Sequence, residues 1–354
     1  MKKLSTTHLQ PGMILARSII NDQMIVVLSE NTLLTKAHIT RLSFLNVQDA
    51  YIKDEYELNA NYQSVEAMIN RSNAFVTEYE EIVSTAREIF SASSKSEELP
   101  VKKVEQLVDD SIIPAVQNSG ALDYLYELNH LATDVYQHCV RVSILSGVIG
   151  KWMHLDRSKI KELILAGFLH DIGKTQLEQK ILDKRLQNLT PEEYDLYMQH
   201  TILGHKLIAS NNEFSDGVKS AVLQHHERMD GSGFPFNATQ HEIHDYASII
   251  AVADIYDNIT TEREGCRKET PFTAIAKITA EMFTTLDPAV CVPFLTNIQQ
   301  AFLGSTVTLS DKRRGRIIRY PADFAAMPLI EIDPETLVDL NREKDLSILE
   351  YNPK

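Results

Sequence analysis

Residues 166–174 read AGFLHDIGK, an apolar run that stops abruptly at His170 and Asp171, passes through Gly173 and ends at Lys174. Apolar helical spacing over 158–170 predicts a buried helix that carries an imidazole and a carboxylate at its end. Ionisable groups in such a place need partners, because desolvating them unpaired is costly.

The rest of the chain offers candidates. His138 sits in YQHCVRVS, His200 in YMQHTILGH, His225 and His226 in VLQHHERMD, and Asp254 in AVADIYDN. Each interrupts or ends an otherwise apolar helical segment. Any one alone is an ordinary, satisfied polar residue. Five histidines and two aspartates of this kind point instead to a helical bundle that turns them inward, a common way to build a metal site. One ion would need only His138, His170, Asp171 and Asp254. Two ions bridged by Asp171 would use His200, His225 and His226 as well. Such His/Asp mixtures suit iron, manganese, nickel or zinc. Two ions about 3.5–4 Å apart suit phosphodiester hydrolysis, because they activate a water and clamp a phosphoryl oxygen. The sequence has no Walker A motif, GxGxxG turn or GxSxG elbow. Lys174 reads either as a point charge for a phosphate or as a solvated lysine at a helix end. Gly173 allows the turn before it.

Composition narrows the setting. The chain has 354 residues, which favours two or three domains. Hydrophobic residues make up 44% and charged ones 24%, as in soluble globular proteins. A net charge of −14 argues against a nucleic-acid polymer as partner, but not against a small anionic substrate held through metal. Cys139, Cys266 and Cys291 form no CxxC pair, so a reducing compartment is expected. No signal peptide and no membrane-length apolar run is found. The expected place is the cytoplasm.

The fold class expected is mostly α: a helical bundle, a small α+β N-terminal module and a short β-rich C-terminal segment. The module comprises residues 1–56, with a strand, turn and strand over MILARSII, NDQ and MIVVL, a helix over TKAHITRLSFLN and a strand at DAYIKD. A helical connector follows over 57–118, with a long amphipathic helix at 57–92 and a shorter one in VKKVEQLVDDSII. The catalytic segment, 119–320, carries helices at 119–130, 135–153, 158–170, 191–210, 214–226, 246–260 and 271–284. Strands are expected at STVTLSD, GRIIRYP and PLIEID, and residues 321–354 form a C-terminal extension.

His138, HDIGK at 170–174, His200, HHERMDGSGFP at 225–235 and AVADIYDNIT at 251–260 together resemble the HD-GYP domain. This is a branch of the HD phosphohydrolase superfamily, and the resemblance covers roughly residues 125–320. The opening at Leu9–Arg17 also resembles, more weakly, the small N-terminal module that often precedes such domains.

The resemblance implies a metal-dependent phosphodiesterase that hydrolyses cyclic di-GMP to linear pGpG or to GMP. It implies an HD-type bundle with two divalent ions, iron or manganese first, and nickel, zinc or magnesium as alternatives. His138, His170, Asp171 and Asp254 would hold one ion. Asp171 would bridge to a second, held by His200, His225 and His226. Lys174 would meet the scissile phosphate. Arg228, Asp230, Gly231, Gly233 and Pro235 would shape the signature loop, with Asp230 paired to a basic group, and Arg228, Asp230, Gly233 and Phe234 would face the substrate.

Three departures bear on the substrate side. Phe234 replaces the family's signature tyrosine. Asp134 stands where some members carry a glutamate for a third metal. REGCRK at 263–268 is one residue longer than the family's guanine-binding segment, which leaves Arg263 in place and Arg267 or Lys268 as the second basic residue.

Alternatives remain open at this stage: a catalytically weak module that binds a cyclic dinucleotide and signals, a hydrolase for another nucleotide, and a bundle of satisfied core histidines. A homodimer through the helical connector is a further expectation.

Overall fold

The computed structural model describes residues 2–10, 13–20, 26–28, 32, 34, 38–39, 42, 47–52, 75–94, 98–118, 120–128, 134–262, 268–321, 327–333 and 335–352. The chain divides into two compact units, Met1–Ala74 and Phe75–Lys354.

In the first unit, β1 (Lys2–Ser5) pairs antiparallel with β4 (Asp49–Ile52), Lys2 facing Ile52. A second antiparallel pair joins β2 (Ile19–Ile20) to β3 (Val26–Leu28). Leu9, Leu15, Ile19, Leu28, Leu34, Leu42, Ala50 and Ile52 form a small core of their own. β2 and β3 fall at the facing ends of the two expected N-terminal strands, and β4 falls on the DAYIKD strand. The NDQ turn, most of the helix expected at TKAHITRLSFLN, and Pro11 and Gly12 lie outside the described residues. Strand β1 has no apolar alternation to announce it. Its pairing comes from tertiary contact.

The second unit begins with α1 (75–94). The part of the expected long helix at 57–74 lies outside the described residues. Phe75, Tyr79, Ile82, Val83, Ala86, Ile89 and Phe90 of α1 are buried in the core of this same unit. α2 (Val101–Leu107) widens into a π turn at Val108–Ile112 and resumes as α3 (Ile113–Gln117). Pro114 falls at this step, where its missing N–H interrupts α-type bonding.

The bundle proper is α4 (Ala121–Leu128), α5 (Val135–Trp152), α6 (Arg157–Leu169), α7 (Gln179–Leu182), α8 (Pro191–Met198), α9 (His200–Ala209), α10 (Asp216–Gln224), α11 (Asp245–Thr260), α12 (Pro271–Glu281) and α13 (Pro288–Phe302). α5 is its axis. Every residue from His138 to Gly150 is buried, and α6, α11 and α13 pack around it. A helix apolar on all sides belongs at such a centre. The expected helix at 191–210 breaks at Gln199 into α8 and α9. α13 is an addition to the expected helices. Pro293 inside it reads as a breaker in sequence, yet the helix holds because Val290, Cys291, Phe294, Leu295 and Ile298 are buried.

The C-terminal strands form one antiparallel sheet in the order β8-β7-β6-β5-β9. These are β5 (Thr306–Leu309), β6 (Arg314–Arg319), β7 (Leu329–Asp333), β8 (Thr336–Asp339) and β9 (Ile348–Asn352). Ile317 faces Ile330, which faces Val338, and these inward residues join the helical core. β8 and β9 were not among the expected strands. Both are short edge strands with mixed polarity. No helix among the described residues is long and apolar enough to cross a membrane.

Candidate metal centre

Four helix ends and one mid-helix position converge on Asp171. His138 lies in the first turn of α5, behind an N-cap at Asp134. His170 closes α6, and Asp171 opens the 3-10 turn Ile172–Gln176. His200 begins α9, His225 closes α10, His226 follows it, and Asp254 lies inside α11. Gly173 makes the approach possible: a Cβ there would come 1.9 Å from the His200 carbonyl oxygen, so only glycine lets this turn lie against the start of α9.

The tautomers are fixed from outside. Nδ1 of His170 donates to the Gly167 carbonyl at 2.7 Å, that of His200 to Tyr197 at 2.6 Å, and that of His225 to Val222 at 3.0 Å. A carbonyl only accepts, so each Nδ1 carries the proton and each neutral ring turns an Nε2 lone pair inward. Those lone pairs meet further acceptors. Asp171 Oδ1 lies 3.3 Å from His200 Nε2 and 3.7 Å from His225 Nε2. Asp171 Oδ2 lies 3.5 Å from Nε2 of both His138 and His170. Nε2 of His138 and His170 are 3.2 Å apart, and Nε2 of His200 and His225 are 3.4 Å apart.

Acceptors facing acceptors in a buried site are unfavourable unless a cation lies among them. Two ligands each about 2.1 Å from one ion stand about 3.0–3.4 Å apart at octahedral or tetrahedral angles, close to the spacings here. Asp171 Oδ1 and His226 Nε2 are buried without hydrogen-bond partners. Two ligand groups share Asp171: His200, His225 and His226 on one side, His138 and His170 on the other. Asp254 joins the second group, its Oδ1 3.1 Å from His138 Nε2. The residues fit divalent metal.

Charge follows the same plan. Burial drives the His170 imidazole down to about 3, and lowers His200 and His226 too, so these rings stay neutral, as ligands must be. Burial acts the same way on His138, but hydrogen bonds to Asp254 and Asp257 outweigh it and raise that ring. Burial would lift the Asp171 carboxyl. Lys174 and the surrounding rings override it and hold Asp171 well below the usual range. Asp254 is held low likewise, against burial, chiefly by His138. Lys174 pairs with Asp171 Oδ2, and its ammonium lies 5.3 Å from the Tyr197 ring centroid.

The loop after His226 closes one wall. The Phe234 ring stacks on His226 with centroids 4.5 Å apart and planes 28° apart. A Cβ on Gly233 would sit 2.4 Å from Glu227 Cα and from the His226 carbonyl oxygen, so the loop folds back on itself only with glycine there. Glu227, buried, fixes the far side by accepting from the N–H of Phe236 at 2.7 Å and of Ala238 at 2.9 Å. Arg228 donates to the carbonyls of His225 and Glu227. The Asp230 carboxylate takes the N–H and hydroxyl of Ser232 at 3.0 and 2.6 Å, rather than the basic partner expected for it.

The other expected site residues are elsewhere. Asp134 caps α5, accepting from the Gln137 N–H at 2.9 Å and from Arg87 at 2.9 Å. It is absent from both ligand groups among the described residues. Arg263 and Arg267 lie outside the described residues, and so does Cys266. The sequence reading passed over Asp257, Arg141 and Glu227. Asp257 Oδ2 lies 2.8 Å from His138 Nδ1, and Arg141 Nε donates to Asp257 Oδ1 at 2.6 Å. Spacing held the signal: Arg141 follows His138, and Asp257 follows Asp254, by one helical turn on buried faces.

Comparison with known proteins agrees with this geometry. Residues 124–290 match the family model of the HD domain. A cyclic di-GMP phosphodiesterase of Pseudomonas aeruginosa is 31% identical over 246 residues, 67% of this chain and 59% of that protein. Another, of Thermotoga maritima, is 37% identical over 150 residues, 40% of each chain. This chain therefore spans less than two thirds of either relative. An HDG"Y"P protein from Bdellovibrio bacteriovorus has the same fold, with a TM-score of 0.52 at 18% identity over 84% of this chain and 99% of that one.

Proposed function

We propose that this chain, whose residues 124–290 match the HD-domain model, is a metal-dependent phosphodiesterase that hydrolyses cyclic di-GMP to pGpG or GMP in the cytoplasm. The observation that carries this reading is Asp171, whose two oxygens face two separate sets of imidazole nitrogens. A single ion would leave one set idle. Two divalent ions, iron or manganese first as the family resemblance implies, would be held by His138, His170, Asp171 and Asp254 on one side, and by Asp171, His200, His225 and His226 on the other. Relatives named as cyclic di-GMP phosphodiesterases support the substrate.

When bound, such a pair of ions supplies an activated water as nucleophile and a clamp for the phosphoryl oxygens. The chain's residues do the rest. The Nδ1–H bonds of His138, His170, His200 and His225 hold these imidazoles in the ligating tautomer before any ion arrives. Lys174, paired with Asp171 Oδ2 in this structure, is a cation beside the ligand cluster, and it is poised to move onto a phosphate oxygen once Asp171 is engaged by metal. Phe234 and the closed loop wall off one side, so the reacting phosphate meets fewer competing waters. Free, buried Cys139 and Cys291 are in keeping with a reducing compartment. The apolar face of α1 is used inside its own unit, so a homodimer through this helix would use its polar face.

The test is anaerobic purification, with metal content measured beside cyclic di-GMP hydrolysis. About two ions per chain with turnover supports the proposal. Two ions with binding but no turnover would make the chain a cyclic dinucleotide sensor, and a metal-free, inactive protein would overturn the reading.

A further inference from the structure

Three of the histidines facing Asp171 take their tautomer from a carbonyl three residues back on their own helix. His138 does not. Its Nδ1 lies 2.8 Å from Oδ2 of Asp257, a carboxylate 119 residues away. Asp257 is in turn gripped by Arg141, whose Nε donates to Oδ1 at 2.6 Å and whose Nη2 donates to Oδ2 at 3.1 Å. The far side of the guanidinium reaches the Tyr79 hydroxyl of α1, Nη1 to oxygen 3.4 Å. Tyr79, Arg141 and Asp257 are 3%, 2% and 1% exposed, so the whole chain of contacts is closed to water. None of the three belongs to the ligand set.

A buried ion pair is a poor way to stabilise a core, since apolar residues of the same volume serve as well or better. It is a good way to hold one atom in place. Two-point contact with the planar guanidinium fixes the plane of the Asp257 carboxylate. That carboxylate can then only accept, which keeps the proton on His138 Nδ1 and aims Nε2 at Asp171 and Asp254. Removing such an outer partner of a ligating histidine typically weakens metal binding by about 10–100-fold.

We propose that Asp257, clamped by Arg141, is a positioning residue that sets the His138 tautomer, and that the ion beside His138 and Asp254 depends on it while the ion beside His200, His225 and His226 does not. This rests on the two-ion reading above. It adds that the two sides of the centre are controlled independently, and that the His138 side is tied through Tyr79 to the helix that opens the second unit.

Asp257→Asn is the direct test. Arg141 would draw the asparagine carbonyl, leaving the NH2 to face His138. The ring would then accept at Nδ1 and carry its proton on Nε2, where an ion should bind. The full chain is stripped by chelation and retitrated with zinc(II), with affinity measured by competition against a chromophoric chelator. Nitrogen-15 NMR of the imidazoles reports which ring nitrogen is protonated. In the wild type, two zinc ions bind and His138 is protonated at Nδ1. In the variant, one ion is expected to weaken by about 10–100-fold, the other to keep its affinity, and the His138 proton to sit on Nε2. Two unweakened ions, or an equal loss at both, overturns the proposal. Should Asp257→Asn fail to fold by circular dichroism, Arg141→Lys keeps the buried charge but loses the fork, and the same one-ion loss is expected, smaller in size. Wild-type affinity at both ions in that variant also overturns it. A wild type that binds no zinc sinks the two-ion reading itself. A two-zinc wild type with an unaffected variant sinks only the positioning role.

Discussion

The two sides of Asp171 are built from different materials. On the Oδ2 side stand two imidazoles, the Asp254 carboxylate, Lys174 and, behind His138, the Asp257–Arg141 pair. On the Oδ1 side stand three imidazoles and the Phe234 ring, with no carboxylate but the shared one in that ligand group among the described residues. One side is dense in formal charge, and its His138 is fixed by a distant side chain. The other is rich in nitrogen, and its His200 and His225 are fixed by local backbone. The difference teaches that a symmetric-looking set of seven ligands need not give two equivalent ion sites. The side with more carboxylates should favour hard, oxygen-loving ions and hold them more tightly, and the nitrogen-rich side should load second and exchange first.

The most damaging change is Asp171→Ala, because it removes the one ligand common to both sides. Metal content should fall to near zero and hydrolysis below detection, while the apo protein still folds. Elemental analysis beside a turnover assay decides it; a variant that kept both ions would break the comparison at its root. A smaller, one-sided effect should follow from Asp254→Ala and from His226→Ala. Each should leave about one ion per chain and lower turnover by more than the 10–100-fold expected of outer-sphere residues. If the sides differ as argued, His226→Ala should keep its remaining ion through dialysis against a weak chelator, and Asp254→Ala should lose it. The reverse order would invert the assignment of the tighter side.

That asymmetry was only half legible in the sequence. The ligands could be read because each breaks an apolar helix: His170 and Asp171 end AGFL, and Asp254 interrupts ASIIAVA. The paired N-terminal strands could be read from alternation. Asp257 and Arg141 left only a faint signal, each one helical turn after a ligand residue. Taken alone, an aspartate and an arginine on separate helices look like solvated residues until tertiary packing buries them against each other across α5 and α11. Asp134 carries two readings. The resemblance offers it to a third metal, but an aspartate just before a helix is also a preferred N-cap, and its carboxylate takes that role in this structure. α13 was missed because Pro293 weighs heavily in a local reading, whereas the burial that holds the helix is a property of the whole core.

Lys174 sharpens the comparison at the next level of effect. It stands on the charged side without ligating, so Lys174→Met should leave two ions bound and lower kcat by about 10²–10³-fold, the range seen when one preorganised charge-stabilising group is removed. Single-turnover kinetics on the metal-loaded variant is the measurement. A loss of metal in place of a loss of rate would mean that Lys174 holds Asp171 rather than substrate.

The smallest effect is expected on the nitrogen-rich side. Phe234→Tyr adds one hydroxyl to a ring whose place is already set by stacking on His226, by the close approach of Gly233 to Glu227, and by the two backbone N–H groups that Glu227 accepts. None of these contacts involves the ring's para position. A new hydrogen bond there is worth about 0.5–1.5 kcal/mol at most, so KM should move by less than about tenfold and metal content should not move at all. Loss of an ion from the His226 side in this variant would show that the ring does more than cover the imidazole: it would have to set the angle at which His226 meets its ion, and the nitrogen-rich side would then depend on a distant side chain just as the charged side depends on Asp257.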